Sequence, residues 1–253
     1  ASEIVFEAKR YGYTVILLDT PEAEGHESEC INTLLTRSID GIILVPCGER
    51  PESLEKIDEQ TPIVLIDRYF EDTSLSYICT DNYRGALDGV KLLIENGHKE
   101  ILCIRGVPHS MPSKERVKGY IDALRESGFD TRSRITGNDY SITNGYLETK
   151  LAIGSPARPT AIFALSNTIM LGAIRAIGES SLRIPDDVSI LSFDNNLFLD
   201  FLHPAVTRIS QPTKEISQLA VKILMERLSD KQSVPQQIKL PAQIIEGKSV
   251  KRL

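Results

Sequence analysis

The chain has 253 residues, 41% of them hydrophobic and 25% charged, with a net charge of −6. That is a globular composition with enough core for one large domain or two lobes. No apolar run has the length of a membrane-spanning helix, and no basic tract of the kind that tracks phosphates is present, so this chain alone is a poor nucleic-acid binder.

The opening "ASEIVFEAKRYGY" reads as a charged helix rather than a secretory signal, which points to a cytoplasmic protein with no membrane association. From there, short apolar runs alternate with longer helical patterns. The strand-like runs are "TVILLD" (14–19), "GIILVP" (41–46), "IVLID" (63–67), "YICTD" (77–81), "EILCIRG" (100–106), "TAIFALSN" (160–167) and "VSILSFD" (188–194). Their apolar residues are nearly continuous, as in strands covered on both faces of a parallel sheet. Amphipathic segments at 82–96, 113–127, 167–180 and 213–228 read as helices; Ala86, Leu87, Val90, Leu93 and Ile94 fall on one helical stripe. This order predicts a doubly wound α/β protein. Cys30, Cys47, Cys79 and Cys103 form no C-x-x-C pair and are expected as buried free thiols.

Polar residues gather at the ends of these runs: Asp19, Asp67-Arg68, Asp81-Asn82, Arg105, Ser166-Asn167 and Asp194-Asn195. Asp81, Asn82 and Asn167 stand where helix N-caps belong. Asp67, Arg105 and Asp194 exceed what capping requires, and the carboxyl edge of an open parallel sheet is where ligands bind. The residues therefore point to a polar cleft, with turn formation a secondary role for Asp194.

The segment "RPTAIFALSNTIMLGAIRAIGESSLRIPDDVSILSFDNN" (158–196) resembles the effector-binding region of the LacI/GalR family of bacterial transcription regulators. "RSIDGIILVP", "PIVLIDR", "TDNYRGALDGVKLLIENGHKEILCIRG", "ERVKGYIDAL", "HPAVTRISQPTKEISQLAVKILMERL" and "LPAQIIEGKS" agree in order and spacing. The resemblance implies two doubly wound parallel-sheet lobes joined by three crossover strands, the type I periplasmic-binding-protein-like fold, with effector held between the lobes. One lobe would take 1–80 plus 211–239, the other 81–210 plus 240–253. The family's DNA-binding helix-turn-helix headpiece, and the first strand of the effector domain, are expected upstream of "SEIVFEAKRYGY". A homodimer reading operator DNA is implied, with no cofactor.

Carried over residue by residue, the effector-binding set is Asp67, Arg116 (in "ERVKGY"), Asn167, Phe193 and Asp194. Thr168 stands where the family carries an Asp, so a charge-dependent contact there is absent. Arg116 alone would pass for a surface residue, and Phe193 for core. Tyr69, Phe70 and Tyr140 are further stacking candidates. Carboxylates, amides and one guanidinium suit the hydroxyls of a sugar or sugar derivative. No metal site is expected: His26 and Cys30 share a helical spacing in "HESEC" but lack a third ligand. Motifs for a nucleophile elbow, a phosphate loop or a zinc protease are missing, so an enzyme is not expected. The main alternative is a periplasmic or lipid-anchored solute-binding protein of the same architecture.

Overall fold

The computed structural model describes residues 1–19, 26–47, 52–129, 134–230 and 233–253. In chain order the first elements are α1 (Ser2–Arg10), α2 (His26–Leu35), β1 (Ile42–Leu44), α3 (Glu52–Asp58), β2 (Ile63–Ile66) and β3 (Ser76–Thr80). Next come α4 (Asn82–Glu95), β4 (Ile101–Ile104), α5 (Met111–Glu126), β5 (Arg134–Thr136) and α6 (Ile142–Ile153). The remainder are β6 (Ala161–Ala164), α7 (Asn167–Glu179), β7 (Ser189–Phe193), a 3-10 turn (Leu197–Phe201), β8 (Thr207–Ser210), α8 (Thr213–Ser229), β9 (Gln237–Leu240) and β10 (Gln243–Ile245). The chain divides into two compact units: Ala1–Thr80 with Pro212–Leu240, and Asp81–Gln211 with Pro241–Leu253.

The first unit holds a parallel sheet in the order β1-β2-β3-β9. Successive side chains of a strand point to opposite faces, and both faces are covered. Ile63, Leu65, Tyr77 and Cys79 pack with Ile31 of α2 and Leu54 of α3. Val64 and Ile78 pack with Ile216, Ala220, Ile223 and Leu224 of α8. That two-sided burial is why these strands read as continuous apolar runs.

The second unit repeats the plan with the sheet β10-β8-β7-β6-β4-β5, parallel except for β10. Ile101, Cys103, Phe163 and Phe193 meet α4 and α5 on one face. Leu102, Ile104, Ile162 and Ile190 meet α6 and α7 on the other. Helices α6 and α7 touch backbone to backbone: a Cβ on Gly145 would lie 2.0 Å from the Ile169 carbonyl oxygen, and one on Gly172 2.1 Å from that of Ile142. Only glycine permits that approach.

Three expectations need correction. The run at 14–19 is extended but has no ladder partner among the described residues; Ile16, Leu17 and Leu18 are 47%, 70% and 40% exposed. It is apolar enough for a strand, but β1 is the last strand of its sheet on that side, pairing only with β2, and hydrophobicity does not supply a partner. Second, only Cys79 and Cys103 are buried. Cys30 and Cys47 are partly exposed, the latter because β1 ends at Leu44. Third, Asn82 and Asn167 are not N-caps but the first residues of their helices, capped by Asp81, which accepts from the Arg84 amide, and Ser166, which accepts from that of Ile169.

His98 joins α4 to β4 and is fully buried, with Nε2 donating to the Lys251 carbonyl at 3.1 Å and Nδ1 at 3.0 Å from the Thr160 hydroxyl. Burial pushes its pKa below the usual 6.5, so the native state keeps the ring neutral. The unfolded chain takes up the proton first as pH falls, so the stability that the neutral ring contributes is complete above about pH 6.5 and is lost below it. Urea denaturation at pH 7.5 and 5.5 should show lower stability at the acid end, and His98→Gln should flatten that difference.

Candidate functional site

Because β4, β6, β7 and β8 run parallel, the residues that follow them emerge on one edge of the second unit's sheet: Arg105, Leu165 to Asn167, Asp194 and Gln211. Helix α5 brings Arg116 to that edge from one face. Its guanidinium is 3% exposed and lies 3.7 Å from the centroid of the Phe193 ring, stacked by cation–π attraction. Nε donates to Asn82 Oδ1 at 2.8 Å and Nη1 to the Leu165 carbonyl at 2.6 Å. Nη2 faces Asp194 Oδ1 at 3.6 Å, an ion pair too long for a hydrogen bond. A guanidinium has five N–H donors, so Arg116 is held in place with donors still directed toward Asp194.

Asp194 adopts φ 76°, in the left-handed region, directly after β7, and it also accepts from Gln211 Nε2. Asp67 does the same in the first unit, with φ 65° directly after β2. A left-handed backbone costs a non-glycine residue about 1–2 kcal/mol, and Asp is among the few that tolerate it. The same device thus ends "IVLID" and "ILSFD": a buried strand runs into a carboxylate on a strained backbone. The Asp67 carboxylate lies 4.0 Å from the Arg68 guanidinium.

Asn167 starts α7 on the same edge as Asp194, and its Oδ1 is buried with no hydrogen-bond partner among the described residues. A buried acceptor without a partner costs roughly 1–3 kcal/mol. Thr168 is exposed; its hydroxyl donates to the Tyr140 carbonyl and lies 2.9 Å from Ser166 Oγ.

Of the expected set, Arg116, Phe193 and Asp194 come together and Asn167 shares their sheet edge. Asp67 belongs to the first unit and is described there alone. Phe193 is wholly buried, and one ring face is taken by the guanidinium. The stacking candidates are occupied. Tyr69 stacks on Tyr77 at 4.4 Å, Phe70 packs into the first unit's core, and Tyr140 lies 3.1 Å, hydroxyl to hydroxyl, from Ser110. Asn195, beside Asp194, accepts from Arg208 Nε at 2.7 Å, while Arg208 Nη2 binds Asp200 at 2.6 Å. Asn82 and Gln211, the partners of Arg116 and Asp194, were not among the expected residues, though they lie in "TDNYRG" and "RISQP". No cluster of three potential metal ligands occurs among the described residues, and none of their helices is long and apolar enough to cross a membrane.

The comparisons fit this geometry. The family described as "Periplasmic binding protein-like domain" matches residues 90–250. The HTH-type transcriptional repressor PurR of Vibrio atlanticus is 32% identical over 254 aligned positions, covering 96% of this chain and 74% of the relative. The HTH-type transcriptional repressor CytR of Escherichia coli K12 is 33% identical, covering 87% of this chain and 65% of the relative. Among solved structures, a LacI family transcriptional regulator from Enterococcus faecium, solved with bound ribose, superposes with a TM-score of 0.90 over 100% of this chain and 92% of its own, at 22% identity. With a matching family over most of its length and a repressor relative 32% identical over 96% of the chain, the chain belongs to the LacI/GalR family of transcriptional regulators, as their periplasmic-binding-protein-like effector-binding domain.

Proposed function

We propose that this domain binds a small polyhydroxylated effector, a sugar or sugar derivative, through Arg116, Asn167 and Asp194 of the second unit, with Phe193 as the platform under Arg116. The observation that carries the reading is the buried Arg116 guanidinium, stacked on Phe193 and aimed at Asp194 on a carboxyl sheet edge. Vicinal hydroxyls match a carboxylate acceptor beside a planar donor. The ribose in the Enterococcus faecium regulator, which shares the fold, supports the same ligand class. Nothing in the site argues for catalysis, since no nucleophile–base pair lies at this edge.

The role proposed for the intact protein is cytoplasmic. An upstream helix-turn-helix headpiece would contact operator DNA, and effector would alter that affinity. The solute-binding alternative is not favoured, because the relatives at 32% and 33% identity are repressors. A homodimer is part of the proposal, since two-fold operators mirror protein symmetry. The exposed Leu147 and Leu151 of α6 supply apolar surface for it. Light scattering should report a dimer at micromolar concentration; a monomer would reject this part.

A thermal-shift screen of sugars, sugar phosphates and nucleobases identifies the effector through its stabilisation of the native state. Asp194→Ala should then weaken binding about ten- to a hundredfold, corresponding to roughly 1.5–3 kcal/mol for a hydrogen bond to a charged group. Calorimetry that finds unchanged affinity in a folded variant rejects the site. In full-length protein, operator affinity measured with and without that effector should differ, and effector affinity should shift reciprocally with operator. Identical operator affinities would remove the regulatory role.

A further inference from the structure

The face of α5 opposite Arg116 borders a groove of about 410 Å³ lined by Arg105, Ser113, Lys114, Val117, Lys118 and Ile121. At about 100° per residue, Lys118 lies roughly 200° around the helix from Arg116, so the lysine side of the groove faces away from Arg116, while Ser113, about 60° from Arg116, and Arg105, which follows β4, form the end of the groove nearest the effector edge. Its volume is within the range of about 300–1,000 Å³ typical of small-molecule sites. In a chain of net charge −6, four cations, with Arg125 the fourth, line this groove beside one carboxylate and the aliphatic side chains of Val117 and Ile121.

Two features at the start of α5 point to an anion. The N-cap residue Ser110 does not cap: its hydroxyl donates to the Val107 carbonyl at 3.0 Å and lies 3.1 Å from the Tyr140 hydroxyl, so no side chain closes the first turn. Ser113, in that turn, is 1% exposed, and its Oγ has no hydrogen-bond partner among the described residues. An uncapped helix start, a buried hydroxyl and flanking Arg and Lys are the donor set that binds phosphate. The groove's carboxylate, Asp122, stands at the far end, about 12 Å along the helix axis from Lys114. It is already matched by Arg125 at 2.6 Å and by the Tyr83 hydroxyl at 3.2 Å.

We propose that this groove is a second ligand site, taking a small organic phosphate with its phosphate at Ser113, Lys114 and Arg105 and its apolar body over Val117 and Ile121. It is independent of the effector reading. Phenyl phosphate, which carries no sugar hydroxyls, is the probe. Calorimetry at low ionic strength should give saturable one-to-one binding, several-fold tighter than inorganic phosphate. The Lys114→Ala, Lys118→Ala double variant should lose about tenfold in affinity. Ser113→Val should lose several-fold while its melting temperature does not fall, because the hydroxyl it removes has no partner in the fold. Asp194→Asn should bind the probe like the parent protein. Absence of saturable binding, or affinity unchanged in both the lysine and serine variants, overturns the site. Loss of binding in Asp194→Asn alone would place the phosphate at the effector edge and equally overturn it.

Discussion

The second unit depends on one buried charge. Taking a guanidinium out of water costs several kcal/mol unless its surroundings compensate. Arg116 is compensated from four directions: an aromatic face, a strand-end carbonyl, an amide oxygen and a carboxylate. They come from three places in the chain. Phe193 ends β7, Leu165 follows β6, Asn82 opens α4, and Asp194 turns away from β7. The guanidinium therefore fixes the register of α5 against the sheet and, through it, the geometry of the edge. Lysine could not do this, because it lacks the flat fork that stacks on Phe193 while donating sideways.

The parts of this arrangement that burial dictates were legible in the sequence. The strands from 63 onward in the first unit, and those around β4, β6 and β7, stand out because both faces are covered. The four predicted helices show ordinary amphipathic stripes. Helix α6 did not, because its pattern is inverted: the core side carries Asn144, Gly145, Thr149 and Ala152, while Leu147 and Leu151 face outward. The close glycine contact with α7 leaves no room for large side chains inside. β9 alternates exposed and half-buried residues, and β10 is no more buried, so neither forms a continuous apolar run.

Site residues were legible where a family motif or a strand end marked them, as at Arg116 and Asp194. Asn82 looked like a cap because it sits beside one. Gln211 stood only inside a family-like stretch, with nothing local to tie it to Asp194. Pairing decided these cases, and pairing joins residues 34 apart for Arg116 and Asn82 and 17 apart for Gln211 and Asp194. Nor could the sequence announce the backbone strain at Asp67 and Asp194. "IVLID" and "ILSFD" suit a relaxed turn equally well, and only φ separates a turn aspartate from one held against its preference.

The partners of the ion pair have a further property. The chain passes from one unit to the other at Thr80–Asp81, Gln211–Pro212 and Leu240–Pro241. Asn82, which accepts from Arg116, lies just past the first passage, and Gln211, which donates to Asp194, lies at the second. Ala242, just past the third, would be 3.0 Å from a Cβ on Gly85, whose other close neighbours are Ile209 at 3.1 Å and the Phe193 ring at 3.2 Å. Within the second unit, the buried guanidinium and the strained carboxylate therefore each hold a residue beside a passage, so the same hydrogen bonds fix the sheet edge and the ends of the passages.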